Sequence, residues 1–238
     1  MYNNYTFLGN DIVNISIERS RFKHLDLKFM HRVFTTNEQL MIQQSTNPIV
    51  TTWMIWAGKE AAFKACQKTN LNLIFSHRKF EITLDIETFN LEFLSSTNNT
   101  NSTYRFSGII KYQDNNLKAI WLISEHFIHC IAVLDKHEKI NDLKFNDLNL
   151  NQIKYHIFPI NSENYATESL ETKTFAKQYL INNGFDENIE ILRSKIFIDG
   201  KLHYKPPMLF INNNQLLNYQ ISLSHDNGWG AFVYLKTD

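Results

Sequence analysis

The 238-residue sequence predicts an α+β fold, with helices laid on one face of antiparallel sheets and built as a pseudo-dimer of two similar halves. Three observations point there. Two stretches with helical spacing, 50–69 and 169–185, are embedded among runs that alternate apolar and polar residues. A charged, polar segment, "KHEKINDLKFNDLNLNQ", divides the chain near residue 140, giving halves at 1–138 and 145–238. No glycine-rich loop joins a strand to a helix, which excludes a dinucleotide fingerprint and a P-loop.

In chain order, "NDIVNI" reads as a short apolar strand. "FKHLDLKFMHRVFTTNEQLMI" mixes helical spacing with a turn at "FTTNE", and Thr36 with Gln39 predicts a capping box for the helix that follows. From Val50 to Thr69, Trp53, Trp56, Ala57, Lys59, Glu60, Phe63, Lys64 and Ala65 fit a helix with an apolar face. "KFEITLD" and "FNLEFL" read as strands, and "SSTNNTNST" as a polar loop. "YRFSGIIKYQD" and "KAIWLISEHFIHCIAVLD" alternate like an antiparallel pair. In the second half, "SLETKTFAKQYLINNGF" is a helix with an Asn-Gly stop. "NIEILRSKIFID" is a strand region, and "GKLHYKPPMLF" a turn bounded by Gly and Pro. "YQISLSHD" and "WGAFVYL" form a closing hairpin around Asn227-Gly228.

The apolar share of 43% suits a globular core. Lys plus Arg and Asp plus Glu are 24 each, for a net charge of 0. That balance argues against a nucleic-acid partner while leaving room for one cationic pocket. Cys66 and Cys130 have neither metal-ligand nor secreted-scaffold spacing, so they read as reduced core thiols of a cytoplasmic protein. The first residues lack a signal-peptide pattern, and no apolar run approaches the ~20 residues that cross a membrane. The sequons at Asn98 and Asn101 are then idle.

Three polar clusters are candidates for chemistry. Asp11 in "GNDIV" is an acid in an apolar strand, and either a cation or donors must compensate it or it caps a turn after Gly9. Glu60 and Lys64 share one helix face at i,i+4. They form either a solvated pair worth roughly 0.3 kcal/mol or part of a cleft, which the small Ala57, Ala61 and Ala62 would let a ligand enter. Ser224 and His225 end a strand, where side chains meet ligands, although a satisfied turn histidine reads the same way. No Gly-x-Ser-x-Gly elbow and no zinc spacing accompany them. Adjacent strand residues point to opposite faces, which disfavours a Ser-His hydrolase. Two acids with lysines and a histidine are compatible with Mg²⁺ and phosphate oxygens.

The order "GNDIV", "WAGKEAAFKA", "YKPPMLF", "ISLSHDNGWGAFV" resembles the 4′-phosphopantetheinyl transferase superfamily, which includes the holo-acyl-carrier-protein synthases. The resemblance implies that Asp11 and Glu60 are Mg²⁺ ligands, that Lys64 contacts phosphate, and that Ser224 and His225 lie near the coenzyme A phosphates. Lys59 matches the motif lysine before the glutamate, with a catalytic or orienting role, and Lys205 in "YKPP" would reach the coenzyme phosphates. Val13 stands where larger members often carry a second acid. The arginines that often hold the coenzyme 3′-phosphate have no clear counterpart, and Lys173 and Lys177 are the candidate substitutes. The motif order looks permuted relative to the larger, two-half members, and a site closed within one chain favours a monomer. The implied reaction moves phosphopantetheine from coenzyme A to a serine of an acyl, polyketide or peptidyl carrier protein. Glu60 or a metal-associated water would be the base, and 3′,5′-adenosine diphosphate would leave. The basic, apolar stretch 19–32 is a candidate docking surface for the carrier, or simply a partly packed linker helix. A catalytically inactive carrier-binding module is the alternative.

Overall fold

A computed structural model describes residues 6–17, 20, 22–84, 103–136, 152–161, 164–198 and 200–237. The architecture is mixed α+β, with antiparallel sheets and four helices among the described residues.

Strand β1 (Thr6–Asn14) opens the first sheet, whose order is β1-β5-β4-β3-β2. Its other members are β2 (Phe80–Thr83), β3 (Tyr104–Tyr112), β4 (Asn115–Ile123) and β5 (Phe127–Asp135). The segment 118–135, read from sequence as one strand, is therefore two. Ser124 turns the chain between them, its N–H donating to the Phe127 carbonyl at 2.9 Å.

Helix α1 (Leu27–Val33) starts on Asp26, whose side chain accepts from the Phe29 N–H. Helix α2 (Thr36–Gln44) has the foreseen capping box one residue earlier, on Thr35 and Glu38. Thr35 is the residue with the extended backbone that a cap requires, so the sequence reading slipped by one.

Helix α3 (Pro48–Gln67) lies across the first sheet. Asn47 caps it by accepting from the Val50 N–H, and Pro48 occupies the first turn, where its missing N–H costs nothing. Its buried face (Met54, Ile55, Ala57, Ala61, Ala62, Ala65) packs on Ile82, Ile110 and Trp121. The Trp121 indole donates to the Met54 carbonyl at 2.8 Å, so even this fully buried ring is satisfied.

The second half opens with β6 (Ile153–Pro159), followed by α4 (Tyr165–Asn182), which starts one turn earlier than its periodicity suggested. Asn164 caps it, and Gly184 beyond its end takes φ +91°, as an Asn-Gly stop requires. Strands β7 (Ile189–Leu192), β10 (Met208–Ile211) and β11 (Asn214–Gln215) form a small sheet. Strands β8 (Lys195–Ile198) and β9 (Lys201–Tyr204) form a hairpin. "GKLHYKPPMLF" is thus two strands around a Lys-Pro-Pro bend, not a turn alone. Strands β12 (Tyr219–Asp226) and β13 (Trp229–Lys236) pair as foreseen across Asn227-Gly228, both at positive φ, and β13 then pairs β6.

Strand β1 pairs with β5, and β6 with β13. The two sheets meet where Leu8, Ile131 and Val133 pack on Ile153, Val233 and Leu235. Lys68, at the end of α3, crosses this seam to donate to the Ile221 carbonyl at 2.8 Å. "FNLEFL", the polar loop, both sequons and the division near residue 140 lie outside the described residues.

Candidate functional site

The site begins with the alternation of side chains along β1. Leu8, Asn10, Ile12 and Asn14 face the β12–β13 hairpin, whereas Gly9, Asp11 and Val13 face α3. Gly9 has no alternative: a Cβ there would collide with the Ala61 carbonyl and lie 2.6 Å from the Ala65 nitrogen. This close approach sets strand against helix, so Asp11, two residues on, falls beside the helix positions one before Ala61 and Ala65. Those positions are Glu60 and Lys64.

Lys64 Nζ donates to Asp11 Oδ1 at 2.8 Å and to the Asn10 carbonyl at 3.0 Å. Burial raises the Asp11 pKa against the pull of Lys64. Burial, then the charge of Asp11, pushes Glu60 up to about 7. His77 Nε2 lies 4.0 Å from Glu60 Oε1, but burial lowers the His77 pKa to about 4, so the ring is neutral near pH 7. Two hard carboxylates thus share a region in which one lysine is too little compensation.

A cavity of about 720 Å³ opens over these groups and extends to the second half. Beside Asp11, Glu60 and Lys64, its walls include Tyr165, Thr172 and Lys173 from α4, Arg193 after β7, and Ser224, His225 and Asp226 from β12. His225 Nδ1 lies 3.2 Å from Glu168 Oε2, while Glu168 Oε1 accepts from the Gly228 N–H at 2.8 Å. Glu168 therefore holds both the imidazole and the hairpin turn, leaving His225 Nε2 for the cavity. Burial lowers the His225 pKa, opposed by Glu168. Across the seam, Asp226 accepts from the Asn14 N–H at 2.9 Å and the Asn227 carbonyl from the Asn14 amide at 2.7 Å.

Asp11, Glu60, Lys64, Lys173, Ser224 and His225 therefore line one cavity, although Ser224 and His225 are adjacent in one strand. Lys59, Lys177 and Lys205 are not among its walls. Lys59 is fully buried, 2.7 Å from the equally buried Glu38, and donates to the His77 and Phe80 carbonyls. Contact with a substrate oxygen is thus replaced by a structural role, because the helix turns Lys59 into the core and Glu60 toward the cavity. Ser224 and His225 are each bonded to another partner, Asn10 and Glu168, so they do not form a nucleophile-base pair.

Asp11 and Glu60 suit a divalent hard cation. Their oxygen donors are the right type, and burial makes their negative charge costly without a compensating cation. Among the described residues no three His, Cys, Asp or Glu side chains converge on a metal position, so water or substrate oxygens would complete the shell. Sequence reasoning missed Glu168, Thr172 and Arg193. Glu168 reads as an ordinary first-turn acid of a helix, and Arg193 as an exposed strand-end residue. Thr172 carries no signal at all.

Acids and cations contributed by both halves around one cleft define a protein suited to a phosphorylated, metal-associated ligand. Residues 7–120 match the family model described as the 4′-phosphopantetheinyl transferase superfamily, so the chain carries a domain of that superfamily. The match spans β1 through most of β4 and leaves the Ser224-His225 hairpin outside it. No curated protein matches the chain. Among the described residues, no helix is long and apolar enough to cross a membrane.

Proposed function

We propose that the chain transfers 4′-phosphopantetheine from coenzyme A to a serine hydroxyl of a carrier protein. The observation that carries this reading is the shared cavity. Asp11, Glu60 and Lys64, from the part matched to the superfamily, face Ser224 and His225 from the part outside it. We also read 1–138 and 145–238 as the two halves of a pseudo-dimer with permuted motif order and a site complete in one monomer. The matching pairing of first and last strands supports this.

In this reading the coenzyme diphosphate lies over Asp11, Glu60 and Lys64. Mg²⁺, held by Asp11 and Glu60 when bound, supplies charge neutralisation to the diphosphate. The carrier serine oxygen forms a bond to the β-phosphorus as the bond to the bridging oxygen breaks, and 3′,5′-adenosine diphosphate leaves. Glu60 or a metal-associated water takes the serine proton. Lys64 and His225 stabilise phosphate oxygens, and Lys173 and Arg193 supply positive charge farther along the cavity. Lys59 orients the motif from within the core. The carrier docks beside Phe22, Leu25 and Leu27, which are exposed next to Lys23 and Arg32 on the cavity rim.

The test is incubation with coenzyme A, MgCl₂ and an apo carrier protein, read by intact mass. A mass gain of one phosphopantetheine, lost in Glu60→Ala, supports the reading. No gain across acyl, polyketide and peptidyl carriers leaves only the binding-module alternative standing.

A further inference from the structure

We propose that Asn10, between Gly9 and Asp11, is the positioning residue for Ser224. It occupies the serine oxygen as an acceptor, so that the serine hydroxyl proton is free to be donated into the cavity, to a phosphate oxygen. The proposal rests on the transferase reading and adds to it a specificity device spanning both halves.

Asn10 is fully buried on the face of β1 opposite Asp11. Its backbone N–H donates to Ser222 Oγ at 3.1 Å, which fixes the strand against β12. Its amide nitrogen donates to Ser224 Oγ at 2.8 Å and lies 3.1 Å from His129 Nε2. An amide nitrogen can only donate, so His129 Nε2 must accept and the ring proton sits on Nδ1. His129 is fully buried, and burial followed by the charge of Lys64 lowers its pKa to about 3, so the ring is neutral and free to accept.

The direction of the amide decides what Ser224 does. With nitrogen toward both partners, the unpartnered atoms are Asn10 Oδ1 and His129 Nδ1, which leaves one donor without a partner. Reversing the amide would strand both of its N–H donors in the interior, which is costlier than stranding a carbonyl oxygen. It would also draw the Ser224 proton inward. In the observed arrangement His129 fixes the amide, and the amide fixes the serine. Ser224 then presents a donor to the cavity, as an anionic ligand requires and as a ligand offering only donors would not tolerate.

The test measures coenzyme A dissociation constants by calorimetry in MgCl₂ for the full chain and for Asn10→Leu, which keeps the branched shape of the side chain and removes its donors. Ser224→Ala, His225→Ala and the two double variants complete the set. Asn10→Leu and Ser224→Ala are each expected to weaken binding about 5- to 10-fold, the scale of one lost hydrogen bond. Asn10→Leu should add nothing in the Ser224→Ala background, yet multiply with His225→Ala. Multiplication in both backgrounds would mean that Asn10 only packs the seam, and overturns the proposal. If Asn10→Leu does not fold by circular dichroism, Asn10→Ala takes its place in the same cycle. Wild-type chain that fails to bind coenzyme A overturns the transferase reading and this proposal together. Wild-type binding with an unchanged Asn10 variant overturns this proposal alone.

Discussion

Two strand-and-helix pairs, β1 with α3 and β6 with α4, are filled oppositely. In the first, Asp11 of β1, facing Cys130 of the neighbouring strand, meets Lys64 and the charge of Glu60 from α3. In the second, His156 of β6, facing Phe232 of its neighbour, stacks on Phe175 of α4 at 5.4 Å and 11° and lies 5.1 Å from Tyr179. Phe158 and Phe175 add a second stack at 3.9 Å. Rings in this position bury apolar area and strengthen the half. Charges in the same position are held against the cost of burial, as the raised pKa values of Asp11 and Glu60 record. One niche holds ionisable groups that line the cavity, and the other is packed with rings.

The sharpest way to break this contrast is to alter the two niches in turn. Glu60→Gln should slow transfer to an apo carrier roughly 10²- to 10⁴-fold by timed intact mass, the range for losing a positioned base. Phe175→Leu should leave that rate within about threefold and lower stability by about 1 kcal/mol in urea unfolding. Equal losses of rate would mean that the aromatic niche is also functional.

The next effect concerns the core beneath the charged niche. Lys59→Met leaves Glu38 buried without its ion partner and should cost about 3–5 kcal/mol by urea midpoint. The double variant Lys59→Met/Glu38→Gln should recover part of that loss. A mild effect of the single variant would argue that Lys59 reaches the cavity after all.

A smaller effect follows from pH. Between 4.5 and about 7 the folded chain retains a Glu60 proton that the unfolded chain has released, so this group's contribution to stability falls as pH rises through that window. His77 and His129 act in the opposite sense below about 6.5, because the unfolded chain then binds the extra protons. The difference between wild type and Glu60→Gln isolates the glutamate. Melting temperatures should favour the variant at pH 8 and converge at pH 5, and MgCl₂ should narrow the gap at pH 8 by stabilising wild type.

The smallest effect belongs to the second half's own contribution. Glu168→Gln keeps an acceptor for the Gly228 N–H but removes the charge beside His225. It should weaken coenzyme A binding by about 3- to 10-fold in calorimetry, with little change in melting temperature.

Most of the fold was legible because β1, α3, α4 and the β12–β13 hairpin follow local rules of periodicity, capping and turn chemistry. The errors were local too. Thr35 and Thr36 are both acceptable caps by type, and only backbone geometry chooses between them. The turn at Ser124-Glu125-His126 contains neither Gly nor Pro, so two strands read as one. At the site, Asp11, Glu60, Lys64, Ser224 and His225 were legible from motif order, and spacing alone left each open to a bland reading. Glu168 and the Asn10–His129 pair were not legible, because their partners lie 57 residues or more away in the sequence. For Lys59 the sequence left an orienting and a catalytic role open, and adjacent helix residues differ by about 100° in direction, which turns Lys59 into the core and its neighbour toward the cavity.

That angular step gives the buried Lys59–Glu38 pair a mechanical meaning. Glu38 is anchored twice more, accepting from the Thr35 N–H and the Ile82 N–H at 2.8 and 2.9 Å. Lys59 is therefore gripped by a fixed point shared between α2 and β2. A rod held at one point on its circumference cannot roll, and α3 is such a rod. Its rotational phase, and with it the bearing of Glu60 and Lys64 toward Asp11, is set by a charge that never meets the cavity.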